Sequence, residues 1–313
     1  MDEDFGGKAP EGAHGGEVGH VSVLLKEAID FLAIRRGGTY IDATLGLGGH
    51  SFEIAKRLGP QGHLIGFDKD TNAIELARQR LSRIGGDDRP KITLLHGSYA
   101  EVPQHVPPTA SDGLLADLGV SSLQFGDAAR GFSFQAEGPL DMRMNPEGEV
   151  TADQVVNHMR EEELANVIYE FGEERRSRRI ARAIVRARPI RTTAHLAQVI
   201  SAALRSMKRD HGAREKIHPA TRTFQAIRIF VNRELDDLKL LLQAAPQVLK
   251  PGGRLVVISF HSLEDRIVKD SLREGRENGV YNVLTKKPLT AREEEIDRNP
   301  RSRSAKLRAA ERK

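Results

Sequence analysis

The segment Asp42-Ala-Thr44-Leu-Gly46-Leu-Gly48-Gly49-His50-Ser51 sits between a β-like run and a stretch of helical period. Glycines at such a turn let the backbone pass close to a ligand, and the helix start offers unpaired N–H groups and a positive dipole end to an anionic group. The turn is not the dinucleotide fingerprint G-x-G-x-x-G, because Ser51 stands where the third glycine belongs. It is not a phosphate-binding P-loop either, since no Lys-Ser/Thr pair follows. Asp68 ends the next β-like run, where a carboxylate can accept both hydroxyls of a ribose. An acid in the glycine turn and a second at the neighbouring strand tip suit an aminosulfonium nucleoside. Each acid also has a plainer use: Asp42 can bond its own backbone in the turn, and Asp68 can cap the helix that starts near Asp70.

Two further places carry titratable side chains at strand tips. Asp117 closes the run 113–117, and His261, Glu264 and Asp265 follow the run 254–260. All of them should face one cleft if these runs are parallel strands, because ligands of such sheets bind at the carboxyl ends. Ser262-x-x-Asp265 also reads as a capping box that opens a helix, in which case His261 only packs there.

The elements that position these residues follow from the pattern. Short β-like runs occur at 39–43, 63–67, 91–95, 113–117 and 254–260, with helical periods at 51–58 and 71–84 and a Pro- and His-rich loop at 103–109. This alternation predicts an α/β fold, a doubly wound parallel sheet. The long stretch between Asp117 and Arg254 has no strand pattern but helical ones at 151–171, 173–187, 193–207 and 221–245. A crossover needs only a dozen or so residues, so most of this stretch is predicted to be an inserted helical lobe, with the last helix returning to the sheet. A helix is expected near Ser262, and the runs 281–284 and 304–310 are predicted to pair antiparallel at the sheet edge. The segmentation is a leader at 1–19 expected to be disordered, a sheet domain at 20–127 and 219–313, and an inserted all-helical domain at 128–218.

Composition narrows the function classes. The 313 residues include no Cys and no Trp, and the 11 His form no H-x-x-x-H pair, so disulfide scaffolds are excluded and no metal site is expected. No apolar run reaches the length of a signal peptide or a membrane span, so a soluble cytoplasmic protein is expected. The net charge of +4 is unevenly spread. Arg298, Arg301, Arg303, Lys306, Arg308, Arg312 and Lys313 crowd the C-terminus beside a single acid, Glu311, and eight Arg fall between Arg175 and Arg191 with no acid among them. Such stretches suit a polyanion, since Arg against phosphate releases condensed counterions; they also suit a solvated helix face.

At this point the order of motifs becomes specific. His20-x-x-Val-Leu-Leu-x-Glu27, the glycine turn 42–51, Phe67-Asp-Lys-Asp70, Ala116-Asp-Leu-Gly-Val-Ser-Ser-x-Gln124, Arg130-Gly-Phe-Ser-Phe134, Pro139-Leu-Asp-Met-Arg-Met144, the run from His218 to Ile229, the run from Ser259 to Lys269 and the run from Asn299 to Arg308 together resemble one family. It is the S-adenosylmethionine-dependent ribosomal small-subunit RNA methyltransferase H family, whose members methylate N4 of a cytidine in the decoding region of 16S rRNA. The resemblance covers 20–313 and implies a Rossmann-like class I methyltransferase sheet, S-adenosyl-L-methionine as cofactor, and 16S rRNA or the small ribosomal subunit as partner. It implies no metal and no membrane.

Carried over residue by residue, the family's cofactor contacts fall on Gly48, Gly49, His50, Asp68, Tyr99, Asp117 and Gln124. Tyr99 stands where the family often has Phe, keeping an aromatic face for adenine. Ser22 stands where Pro is common, and the segment between Lys269 and Asn299 is shorter than in some relatives. DNA amino-methyltransferases carry Pro-Pro-aromatic after the acid; this chain has Leu-Gly-Val after Asp117, which argues against that family. N4 of cytosine is a poor nucleophile because its lone pair is delocalised, so positioning should dominate. Asp117 is the expected catalytic carboxylate, and His261 could relay the proton. Phe125, Phe132 and Phe134 crowd after Asp117, and this segment could form the wall for a flipped base, with Phe132 and Phe134 assigned to the substrate, or else the rings seal the joint between lobe and sheet. Phe224, Ile227, Val231, Leu235, Leu238 and Leu242 form a packing stripe on the helical pattern 221–245. Arg222 and Arg233, three turns apart, are assigned to RNA. The competing readings are another adenosylmethionine enzyme acting on DNA or a small molecule, and a non-enzymatic ribosome-assembly factor. The basic stretches weigh against a small-molecule substrate, and the intact turn with Asp68 and Asp117 weighs against a dead scaffold.

Overall fold

The structure is a computed structural model that describes residues 22–205 and 218–313. The expected leader, His20, and the end of the helix predicted over 193–207 lie outside these residues. Strands β1 (Thr39–Asp42), β2 (His63–Asp68), β3 (Lys91–His96), β4 (Ser111–Asp117) and β5 (Leu249–Ser259) run parallel, and β7 (Lys306–Arg312) runs antiparallel to both of its neighbours, β5 and β6 (Tyr281–Val283). They form one seven-stranded sheet of order β3-β2-β1-β4-β5-β7-β6.

Helices cover both faces, which explains the near-continuous apolar strands. Ile41, Leu114, Ala116, Leu255 and Val257 meet Leu238, Leu241 and Leu242 of α11 (Glu234–Val248). The alternate residues Tyr40, Leu64, Leu115, Val256 and Ile258 meet α1 (Leu25–Leu32) and α2 (Gly49–Leu58) on the other face. Further helices of the sheet domain are α3 (Thr71–Ser82), α4 (Val102–His105), α5 (Ser122–Gly126), α12 (Ser262–Glu277) and α13 (Glu293–Arg298).

A third core lies apart from the sheet. Phe132, Leu140 and Met142 join the buried faces of α6 (Ala152–His158), α7 (Glu161–Gly172), α8 (Ser177–Ala187), α9 (Thr193–Arg205) and α10 (Thr221–Asn232).

The differences from the sequence pattern are local. The helix expected over 221–245 is two helices, broken at Arg233, whose φ of 54° is left-handed. That conformation costs a non-glycine residue roughly 1–2 kcal/mol, and it lets two helices serve two cores. Phe224 and Ile227 therefore pack in the helical cluster, while Leu238 and Leu242 pack on the sheet, so the continuous stripe does not exist. α10 stays with the lobe and only α11 returns to the sheet. The pattern over 151–171 divides into α6 and α7. The Pro-His loop contains α4, entered through a capped 3-10 turn at Tyr99–Glu101. β5 begins at Leu249, because Leu249 pairs with Ser111 ahead of a register shift across Pro251-Gly252-Gly253.

Candidate active site

The carboxyl ends of β1, β2, β4 and β5 open on a cleft of about 350 Å³. Gly46 has φ +49°, and nothing beyond its own turn approaches the place of a Cβ, so the backbone is open to a close ligand. Gly46, Leu47, Gly49 and His50 line the cleft; Gly48 does not. Gly48 is the left-handed residue before α2, and a Cβ there would meet Ala77 of α3 at 3.1 Å. Gly49 is fixed by packing too, since a Cβ on it would fall 1.9 Å from Ser22 Oγ.

Asp68 lines the cleft at the tip of β2. Its Oδ2 accepts the Gly46 N–H at 2.7 Å and its Oδ1 the Asp70 N–H at 2.9 Å. Each oxygen keeps a lone pair for a ribose hydroxyl. Burial pushes its carboxyl up to about 6, against the pull of those two N–H groups. The cap of α3 is Asp70, not Asp68: Asp70 accepts the Asn72 N–H at 3.0 Å. Asp42 takes the plainer use. It is buried beneath the turn, accepts from Ser51 Oγ at 2.6 Å and from the Thr44 N–H at 3.2 Å, and does not line the cleft.

Asp117 is different. Its Oδ1 is buried with no hydrogen-bond partner, and its Oδ2 lies 3.5 Å from His50 Nδ1. His50 Nε2 faces the Val23 carbonyl at 3.1 Å, which assigns the ring proton to Nε2 and turns Nδ1 toward the acid. Burial first, then the nearby charges of Asp42 and Glu264, hold the Asp117 carboxyl well above the usual carboxylate range. Its own N–H is fixed by Thr44 Oγ1 at 2.6 Å, which ties β4 to the glycine turn.

Tyr99 and Gln124 also line the cleft. Tyr99 donates to the Glu234 carbonyl at 3.3 Å, and Lys69 Nζ stands 6.0 Å from its ring centroid. The Gln124 amide is occupied at both ends, by Asp70 Oδ2 at 2.9 Å and the Ser121 N–H at 3.1 Å, so it offers a ligand its stem.

Four expected substrate residues are placed elsewhere. Phe132 is 5% exposed in the helical core. Phe134 packs there too, against His218 and Phe224 at 4.6 and 4.9 Å between centroids. They seal the lobe and do not wall the cleft. Arg222 is exposed and leans on the Glu173 carbonyl, while Arg233 sits at the helix break beside Asp236. The break removes the shared face, and neither Arg lines the cleft.

His261 is corrected as well. It caps α12, its Nδ1 accepting the Glu264 N–H at 3.4 Å, and it does not line the cleft. Its Nε2 lies 3.2 Å from Glu264 Oε1 without hydrogen-bond alignment. Glu264 does reach the cleft. Burial alone would raise its carboxyl, but His261 and the Phe260 N–H outweigh this and hold it low.

Sequence reasoning missed the ionic web behind the cleft. Arg228 grips Glu234 with bonds of 2.8 and 2.9 Å, Arg130 reaches Asp70 at 2.7 Å, and Lys69 reaches Asp237 at 2.6 Å. Lys69, Asp70, Arg130 and Arg228 fall within the motifs, but no local pattern in the sequence pairs them with their partners. Among the described residues, one set could offer metal ligands: Glu234, His261 and Glu264, whose ligand atoms lie within 4.8 Å of one another. The guanidinium on Glu234 already supplies the positive charge there. Much of the basic C-terminus is structural too, since Lys306 and Arg308 bind Asp265 at 3.0 and 2.7 Å.

The Arg-rich helix α8 buries Ile180, Ala181 and Ile184 and turns its Arg outward. Arg182 meets Glu161 at 3.3 Å, and Arg188 holds the carbonyls of Val156 and Met159. Arg175, Arg178, Arg186 and Arg191 are exposed and have no carboxylate partner among the described residues. No described helix is long and apolar enough to cross a membrane.

Comparison with known proteins agrees with this architecture. The profile of the MraW methylase family matches residues 17–313. The chain is 73% identical to ribosomal RNA small subunit methyltransferase H of Koribacter versatilis (strain Ellin345), over 97% of this chain and 98% of the relative. It is 64% identical to the protein of that name from Acidobacterium capsulatum, over 94% and 98%, and 50% identical to the one from Sorangium cellulosum (strain So ce56), over 94% and 90%.

Proposed function

Since the chain belongs to the MraW methylase family, we propose that it transfers the methyl group of S-adenosyl-L-methionine to N4 of a cytidine in 16S rRNA of the small ribosomal subunit, in the cytoplasm. The observation that carries this reading is the placement of Asp68 and Asp117 on one cleft beside an open glycine turn. The cleft fits the cofactor: Asp68 retains acceptor capacity for ribose hydroxyls, Tyr99 presents a ring edge or face for adenine, and the orphaned Asp117 Oδ1 awaits a donor or a cation. When bound, S-adenosylmethionine supplies an electrophilic methyl group on a cationic sulfur.

The residues of the chain do the rest. Asp117 accepts a hydrogen bond from the exocyclic amine, holding the N4 lone pair toward the methyl carbon. As the N–C bond forms, N4 must shed one proton, and the Asp117 carboxylate is the acceptor in the cleft. Ionised Asp117 also offsets the positive charge that gathers on nitrogen. The helical lobe, 128–218 together with α10, presents the Arg of α8 to RNA phosphates. The test is methylation of small subunits taken from a strain lacking this modification, read by nucleoside mass spectrometry. N4-methylcytidine formed only with the protein and cofactor is expected; its absence overturns the reading.

A further inference from the structure

α5 exposes Phe125 at the mouth of the cleft, where the residue is 38% exposed. The Arg301 guanidinium lies over that ring, 4.9 Å from its centroid. Both residues line the cleft, together with Asn299 and Ser304 from the segment before β7 and Val120 after β4. Arg301 is exposed and has no carboxylate partner among the described residues. Lys306 and Arg308 of β7, which follows, are both tied to Asp265. An unpaired planar cation parked on an exposed aromatic face is an arrangement that a flat ring of a polyanion can take over.

We propose that Phe125 and Arg301 form the clamp that holds the target base, stacking it between the phenyl ring and the guanidinium at the entrance to Asp117. This rests on the RNA-methylating reading above and names the base-binding group that Phe132 and Phe134, packed in the lobe, do not supply. At 4.9 Å the pair is closed. Two van der Waals gaps of about 3.5 Å each are needed to admit a base, so the guanidinium lifts by about 2 Å. Its freedom from any carboxylate makes that movement cheap. Stacking is indifferent to base identity, so the clamp positions the nucleotide without selecting cytosine.

The experiment measures methylation of small subunits lacking the modification, at saturating cofactor, for wild type, Phe125→Ala, Phe125→Tyr and Arg301→Gln, with calorimetric binding of S-adenosylhomocysteine as the second readout. Phe125→Ala is expected to lose about ten- to a hundredfold in kcat/KM, the range for removing one base-stacking ring, while Phe125→Tyr stays within about threefold of wild type. Arg301→Gln is expected to lose about tenfold, as one face of the stack and one cation go. Product affinity is expected to be unchanged in all three, which also shows them folded. Wild-type rates in Phe125→Ala, failure of Phe125→Tyr to rescue, or a parallel loss of product affinity overturns the clamp alone. Wild type that forms no N4-methylcytidine overturns the underlying reading and the clamp with it.

Discussion

The cleft and the outer face of α8 manage charge in opposite ways. Around the cleft, carboxylates are buried and nearly every one is answered: Asp42 by Ser51, Asp70 by Arg130 and Gln124, Glu234 by Arg228, Glu264 by backbone and His261. On and just before α8, Arg175, Arg178 and Arg186 stand in solvent with no carboxylate partner among the described residues. Buried charges need partners because desolvation is expensive, while exposed ones cost almost nothing to leave unpaired. The exception to this rule is therefore the informative residue: in the cleft it is Asp117, whose buried oxygen lacks a partner.

The sharpest way to break this contrast is to remove the charge of Asp117. Asp117→Asn keeps the volume and relieves repulsion from Asp42 and Glu264, so thermal unfolding should occur at the same or a higher temperature. Turnover should fall by about 10² to 10⁴, the range for a positioned polar group or base. Single-turnover rates at saturating S-adenosylmethionine check it. Full recovery at saturation would reduce Asp117 to a cofactor ligand.

The next largest effect belongs to Asp68. Asp68→Ala removes the acceptor for ribose hydroxyls and strands the N–H groups of Gly46 and Asp70. Charge-assisted bonds are worth about 1.5–3 kcal/mol, so cofactor affinity should weaken at least tenfold. Unchanged affinity by calorimetry would reject the assignment.

How far the sequence foresaw this contrast depends on the range of the interaction. β1 to β4 were legible because each apolar run stops at Asp42, Asp68 or Asp117 or, for β3, just before Gly97, and the glycine turn with Asp68 was legible for the same reason. The start of β5 was not, since Lys250-Pro-Gly-Gly253 reads as a turn and only its pairing with Ser111 makes it strand. The break at Arg233 carries no Gly or Pro signal; two separate cores impose it. The sequence offers Ser262-x-x-Asp265 as the capping box of α12, one residue away from the observed pair His261 and Glu264, and it leaves open whether Phe132 and Phe134 pack or face a base; tertiary packing decides both. The partners Lys69 and Asp237, or Arg130 and Asp70, are distant in sequence and no local pattern joins them.

A smaller effect should appear with pH. Asp68 is held at about 6 and Asp117 well above its usual range, so acidification neutralises negative charge in the cleft before it touches ordinary surface carboxylates. S-adenosylmethionine carries a sulfonium that S-adenosylhomocysteine lacks, while their amino and carboxyl groups are alike. Ionised acids favour the sulfonium, so preference for the cationic ligand should be present at high pH and be lost as pH falls through about 6. A change of several-fold, up to about tenfold per unit of coupling, is expected. Calorimetry of both ligands from pH 5 to 8 measures it, and a constant ratio would mean that neither carboxyl senses the sulfur.

The mildest change tests the other side of the contrast. If the exposed Arg of α8 meet phosphates, each contact releases about one counterion, and log affinity falls with log salt in proportion. Replacing Arg178 and Arg186 by Ala touches no buried side chain of α8, whose core is Ile180, Ala181 and Ile184. The fold and cofactor affinity should therefore stay as they are, while the slope of small-subunit RNA binding against salt should drop by roughly one to two units. The rate of methyl transfer at saturating RNA should not change, because the lobe supplies attachment and the cleft supplies chemistry. An unchanged slope would leave these Arg as a solvated face. A slower rate at saturation would mean that the lobe also orients the base, and the division between the two regions would fail.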